Sequence, residues 1–300
     1  MLPPMPFGGK RERIGMTQLK AKYDEQSAVW NGVAGHAWAQ EQDLINEAFK
    51  PMEDRLVEEL WTVGAAKVLD VGCGTGATTL ALSKMGHGAV ECVGIDISQE
   101  MIAAARARAA ARQSTAQFVC ADAQAHAFAA TFDMIVSRFG VMFFDEPGSA
   151  FLNLRRACRD AAQMRLLVFR TASENPFMTT AERAAAPLFP AVPVRVDGPG
   201  QFAFADTARV RAILEAGGWT GVEFQPIDFE CSFPSGKLQT FFTRLGPLGR
   251  ILHEADADTR TRIVTSVRAA FEPYVDGDRV RFEAACWMVS ARAGIQSGML

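Results

Sequence analysis

The 300-residue chain lacks the features that mark several large protein classes. No window reaches the roughly 18 uninterrupted apolar residues of a membrane-spanning helix, so no span is expected. The six cysteines (Cys73, Cys92, Cys120, Cys158, Cys231 and Cys286) contain no C-x-x-C pair. That spacing disfavours a zinc cluster or a disulfide framework, and the thiols read as buried small apolar residues in a reducing cytoplasm. No long basic run interrupts a formal net charge of −3, which disfavours a nucleic-acid partner. The arginine groups Arg106, Arg108, Arg112 and Arg155, Arg156, Arg159 read as solvated helix faces. Histidine is scarce, with four in the chain, and no ligand spacing around Asp145, Glu146 and Asp160 suggests a metal.

What is present is one concentrated signal. Val68-Leu69-Asp70-Val71-Gly72-Cys73-Gly74-Thr75-Gly76 places three alternating glycines after an apolar strand that ends on a carboxylate. Without a Cβ, such a loop turns sharply into the next helix and lets a ligand lie against free amide N–H groups. Residues 89–95 read as a second strand delivering Asp96, whose carboxylate suits the two hydroxyls of a ribose. A third strand over 117–121 is followed by Asp122-Ala123, where an adenine ring would be bracketed. A fourth over 132–136 ends in Ser137-Arg138-Phe139. Polar residues at four successive strand ends describe a cofactor crevice.

These motifs together resemble the class I S-adenosylmethionine-dependent methyltransferases, of the small-molecule type. VLDVGCGTG resembles that family's first motif, GIDIS its acidic ribose loop, CADAQ its adenine loop and FDMIVSRFGVMFF its fourth-strand segment. The resemblance implies a Rossmann-like α/β fold: a doubly wound, mostly parallel seven-stranded sheet with an antiparallel last strand, plus helical caps. It implies S-adenosylmethionine as cofactor, with Gly72, Gly74 and Gly76 against the methionine portion, Asp96 on the ribose and Asp122 near the adenine amine. Asp70, Cys73, Thr75, Ile97, Met101, Ala123, Ser137 and Phe139 complete the expected cofactor contacts. One departure stands out: the turn before the fifth strand is commonly Pro-Gly-Gly, and here it is Arg159-Asp160-Ala161-Ala162-Gln163-Met164.

Along the chain, residues 1–15 read as a loose tail and 16–62 as a helical cap carrying Tyr23, Trp30, His36 and Trp38. The cofactor-binding core follows over 63–170. Helices are expected over 77–85, 99–112 (capped by Ser98) and 149–159, with the fifth strand over 164–170. Residues 171–205 hold five prolines and read as an irregular lid. The rest of the core spans 206–294, with a helix over 206–217 and strands over 222–231 and 280–291. Helical spacing at Leu238, Phe241, Phe242, Leu245 and at Ile263, Val264, Val267, Phe271 places inserted helices within 236–273.

Candidate catalytic residues are His36 in the cap and Arg138 at the fourth strand end. His36 either does acid–base work or is a surface side chain, and His253 is a weaker candidate of the same kind. His87 reads as a helix-end residue and His126 as a loop residue. Arg138 either orients an anionic acceptor or pairs with Asp145 or Glu146. Trp30, Trp38 and the Asn175-Pro176-Phe177 turn are candidates for the acceptor pocket. The expected activity is methyl transfer by in-line displacement to a small aromatic or apolar acceptor, enclosed by the amino-terminal cap and the carboxyl-terminal insertion. Two other readings remain open: an NAD-dependent oxidoreductase using Gly72, Gly74 and Ala77, and a non-catalytic cofactor-binding protein. Against the oxidoreductase stand Gly76, Asp122 and the lack of a convincing hydride-transfer His or Tyr-x-x-x-Lys.

Overall fold

Short apolar runs that alternate with helical segments build a parallel sheet covered on both faces. In the computed structural model, which describes residues 26–85, 90–192 and 198–295, that expectation takes concrete form. The strands are β1 (Lys67–Val71), β2 (Glu91–Asp96), β3 (Gln117–Cys120), β4 (Phe132–Arg138), β5 (Cys158–Phe169), β6 (Trp219–Pro234), β7 (Val275–Asp276) and β8 (Arg279–Ala293). Seven lie in the order β3-β2-β1-β4-β5-β8-β6, with β8 antiparallel to both neighbours. The eighth, β7, is a two-residue strand that pairs with the start of β8 and was not foreseen. Tyr23 and His87 fall outside the described residues.

The helices are α1 (Val33–Gln40), α2 (Gln42–Ala48), α3 (Lys50–Val63), α4 (Ala77–Leu82), α5 (Gln99–Ala111), α6 (Pro147–Arg156), α7 (Thr180–Ala185), α8 (Thr207–Ala216), α9 (Leu238–Arg244), α10 (Gly246–Ile251) and α11 (Ala257–Ala270). Local chemistry sets their starts. The Ser98 hydroxyl accepts from Met101 N to open α5, and the Asp206 carboxylate accepts from Ala208 N and Arg209 N to open α8. Pro51 occupies the first turn of α3, where a missing N–H costs nothing, so it restarts the helix instead of breaking it.

Three boundaries differ from expectation for identifiable reasons. β5 begins at Cys158, six residues early, because the segment lacking the Pro-Gly-Gly turn stays in the sheet as an irregularity. Pairing jumps from Phe132↔Cys158 to Met134↔Gln163, and Ala161 adopts φ +62° to absorb the extra residues. Helix α7 lies within the stretch read as irregular, since Thr180–Ala185 falls between its prolines and packs against α11. β6 and β8 run 16 and 15 residues, overshooting the parallel strands. Their far ends carry an aromatic core, with Phe177 stacked on Phe282 at 3.9 Å, Phe233 on Phe241 at 4.9 Å and Phe242 on Phe271 at 5.8 Å. The inserted helices α9 to α11 bury their apolar stripes there.

Five cysteines are buried and Cys120 is exposed, a correction to the expectation that all six are core residues. Cys120 ends the edge strand β3, which has a neighbour on one side only. Among the described residues no helix is long and apolar enough to cross a membrane, and no cluster of acidic, histidine or cysteine side chains is arranged to hold a metal.

Candidate functional site

The carboxyl ends of β1, β2, β3 and β4 open into one cleft, roofed by α1, α2 and the residues just before them. It encloses about 1110 Å³, counting its solvent-open mouth.

Its floor is the glycine loop. Gly72 and Gly74 have φ of +66° and +55°, a left-handed path that side chains resist. A Cβ on Gly74 would meet only Met101 Sδ at 3.7 Å, so this backbone faces open space that a ligand can enter. Asp96 ties the loop to the second strand: its Oδ2 accepts from Gly74 N at 2.8 Å and its Oδ1 from Ser98 N at 2.9 Å. Burial raises the Asp96 carboxyl above the usual range, against the pull of the Ser98, Gly74 and Ile97 amides. Asp122 borders the third strand end, its Oδ1 accepting from Gln124 N at 2.9 Å. This is a fit for a nucleoside: an accessible Gly-loop backbone, and carboxylates at the ends of β2 and β3 that border the cleft.

Asp70 lies beneath the loop. Thr79 Oγ1 donates to its Oδ2 at 2.6 Å, while its Oδ1 is buried with no hydrogen-bond partner. Burial raises the carboxyl to about 6, with the Thr79 hydroxyl and the Arg138 charge pulling the other way. Arg138 closes β4 and reaches the cleft, donating from Nη1 to Phe49 O at 3.4 Å. Burial lowers its guanidinium, opposed by Glu53 and Asp70. No carboxylate lies within ion-pair distance of Arg138 among the described residues, so the expected alternative of a bridge to Asp145 or Glu146 is not formed.

Of the expected site residues, Asp70, Gly72, Cys73, Gly74, Thr75, Asp96, Ile97, Met101, Asp122, Ala123, Arg138, Phe139, Trp30 and Trp38 come together around the cleft. Four do not. Gly76 turns into α4 beneath the floor, where a Cβ would meet the Phe118 ring at 2.7 Å. Ser137 is fully buried, donating to Val71 O at 2.7 Å and accepting from Val141 N, so it joins two strand ends. His36 projects outward to Glu100 Oε1 at 2.8 Å and to Gln40, away from the lining. Asn175 is completely buried, donating to Thr171 O and Ala285 O and accepting from Ala285 N, a clamp on β8. The catalytic expectation for His36 and the pocket expectation for Asn175 are therefore corrected.

The cap contributes more than its tryptophans. Gln42, Ile45, Asn46 and Phe49 line the cleft, and their i, i+3, i+4, i+7 spacing marks one helix face that was readable as such. Gln124, Gly140 and Phe143 also line the cleft and were not among the expected residues. Trp30 meets Trp38 and Phe143 edge to face, at 5.9 and 5.0 Å between ring centroids. Phe139 holds φ +70°, uncommon for a bulky residue, and stacks on Phe169 at 4.3 Å. Among the described residues, none from 171 onward lines the cleft, including His253. The carboxyl-terminal part instead props the cap from behind, through Arg244 to Glu41 at 2.7 Å and Arg279 to Glu47 at 2.6 Å.

Fold and cleft thus define a Rossmann-like protein with a nucleotide-type crevice at its strand ends. Residues 68–161 match the family model described as a methyltransferase domain, so the resemblance read from the sequence holds over that segment. An uncharacterized protein of Mycobacterium tuberculosis is 33% identical over 117 residues, covering 39% of this chain and 42% of the relative. The chain therefore spans less than half the length of that relative. A demethylmenaquinone methyltransferase of Renibacterium salmoninarum is 23% identical over 246 residues, covering 75% of this chain and 99% of the relative. The solved magnesium protoporphyrin IX methyltransferase of Synechocystis PCC 6803, with bound S-adenosylhomocysteine, superposes with TM-score 0.55 at 14% identity, covering 90% and 99% of the two chains. That likeness is one of fold.

Proposed function

We propose that the cleft binds S-adenosylmethionine and that the chain is a methyltransferase acting on a small aromatic or apolar acceptor. The observation that carries this reading is the Asp96 carboxylate, which holds Gly74 N while bordering the same cleft as Asp122. Glycine-loop backbone, a ribose acceptor and an adenine acceptor converge there, within the segment that matches the methyltransferase-domain model. Relatives named as methyltransferases support the same reading.

When bound, the cofactor supplies a methyl group already electrophilic on its sulfonium. The chain's work is then mostly placement. Gly72 and Gly74 present backbone to the amino-acid portion, Asp96 accepts from ribose hydroxyls and Asp122 from the adenine amine. Trp30, Trp38, Phe49 and Phe143 form an aromatic wall that holds a flat acceptor and excludes water. Such positioning supplies up to roughly 7–11 kcal/mol of a barrier in well-oriented intramolecular models. With His36 outside the cleft, no histidine among the described residues stands ready as a general base. An acceptor that needs deprotonation must therefore use one of the cleft carboxylates or arrive ionised. The free thiols support a cytoplasmic location, and the small net charge supports a small-molecule partner over nucleic acid.

The test is calorimetric titration of the purified protein with S-adenosylhomocysteine, with NADH in parallel. Stoichiometric binding of the first alone is expected, and Asp96→Ala should weaken it sharply. Binding of NADH instead would transfer the glycine loop to the oxidoreductase reading.

A further inference from the structure

Among the described residues, Arg138 forms no ion pair with a carboxylate. Arg138, a half-buried residue, sits where the glycine-loop floor meets the cap, its guanidinium desolvated and held by a single long hydrogen bond to Phe49 O. Asp70 acts on it through charge alone: its Oδ2 is taken by the Thr79 hydroxyl, and it forms no ion pair with Arg138. Glu53, the other acidic group facing it, is engaged by Lys50 at 3.4 Å. A buried guanidinium is costly unless paired, and its planar fork matches a carboxylate better than any neutral group. The same cleft holds the aromatic wall of Trp30, Trp38 and Phe143 and the side-chain oxygen of Gln42, buried with no hydrogen-bond partner. An unsatisfied acceptor of that kind suits a ligand hydroxyl or amine.

Resting on the methyl-transfer reading, we propose that the acceptor is a flat aromatic acid: Arg138 receives its carboxylate, the tryptophan wall its ring, and Gln42 a hydroxyl or amine on the ring. The cofactor's own amino-acid portion also carries a carboxylate, so the test must separate the two sources.

Two probes of one shape, 6-hydroxy-2-naphthoate and 6-hydroxy-2-naphthamide, are titrated into the protein with and without S-adenosylhomocysteine, reading tryptophan fluorescence and heat. The proposal expects the acid to bind at least tenfold more tightly than the amide. It expects that ratio to fall to near one in Arg138→Met, and Arg138→Lys to retain part of it. Trp38→Ala should weaken both probes by a similar factor with the ratio intact, a readout that stands even if the arginine variants fold poorly. Equal affinities in the wild-type protein, a preference that survives Arg138→Met, or probe binding indifferent to Trp38→Ala would each overturn the proposal. A second arm compares S-adenosylhomocysteine with 5′-methylthioadenosine, which lacks the amino-acid portion. Their affinity ratio should change less than about threefold in Arg138→Met; its collapse would assign Arg138 to the cofactor carboxylate and end the acceptor proposal. Failure of the wild-type protein to bind S-adenosylhomocysteine would sink the methyl-transfer reading separately, since acid-over-amide discrimination is read without the cofactor too.

Discussion

Gly72 and Gly140 meet backbone to backbone: a Cβ on Gly72 would lie 2.5 Å from Gly140 Cα, and one on Gly140 would lie 2.6 Å from Gly72 Cα. This contact brings the loops after β1 and β4 together and sets the width of the cleft floor. Both residues line the cleft, so the pair links loop packing directly to ligand space.

Gly140→Ala should therefore act on stability and binding together. Forcing a methyl into this contact should cost about 1–3 kcal/mol, the usual range for overpacking, read as a lowered urea midpoint. Affinity for S-adenosylhomocysteine should fall at least tenfold in the same protein. Wild-type affinity in the variant would show that the floor tolerates separation of the two loops.

Asp70 predicts a pH dependence of definite sign. Its folded carboxyl lies at about 6 against an ordinary 3.8, so the fold favours the neutral form. That contribution to stability is complete below pH 3.8 and is lost as pH rises through 6. The loss amounts to about 3 kcal/mol at 1.36 kcal/mol per unit. Asp70→Asn keeps a neutral acceptor for Thr79, so its stability relative to wild type should climb between pH 4 and pH 7.5. A pH-independent difference in denaturant unfolding would contradict the raised carboxyl.

Asn175→Ala separates a clamp from a pocket residue. Removing the amide strands Ala285 N inside the protein, while Ala285 O keeps the Arg170 N–H. Each unsatisfied buried group costs about 1–3 kcal/mol. The melting temperature should drop while S-adenosylhomocysteine affinity, measured below the transition, stays within twofold. An affinity loss without destabilisation would return Asn175 to the site.

Thiol chemistry should single out Cys120. It is the exposed cysteine, whereas burial pushes Cys92, Cys158 and Cys231 up to about 12 and raises Cys73 and Cys286 as well. Burial also raises Cys120 somewhat, so its reaction with a disulfide reagent should be slow below pH 8 and faster above it. One thiol should react in the native protein and six after unfolding; Cys120→Ser should abolish the native reaction.

The cofactor crevice was legible because its signals are local. A strand with Asp70 next to its end, a left-handed path at Gly72 and Gly74, and acids at the end of β2 and two residues past β3 are each set by a few neighbouring residues. Cap chemistry was less legible, although the Gln42, Ile45, Asn46, Phe49 face has ordinary helical spacing. His36 and Asn175 misled for a shared reason: a polar residue in a helix or turn reads the same whether it faces ligand, solvent or another strand's backbone. The extended β5 was hidden likewise, since Ala161 carries a positive φ without the glycine that would announce it.

Residue order alone determined the strand–helix alternation, the glycine loop, the helix caps at Ser98 and Asp206, and the carboxylates at the strand ends. These follow from backbone sterics and hydrogen bonding within short spans of chain. Only the tertiary structure decided that Arg138 faces the cleft with no ion pair among the described residues, that Asn175 grips a strand 110 positions away, and that the carboxyl-terminal helices brace the cap instead of lining the cleft. Each of these depends on which surfaces meet after collapse, and long-range packing leaves no periodicity in the chain.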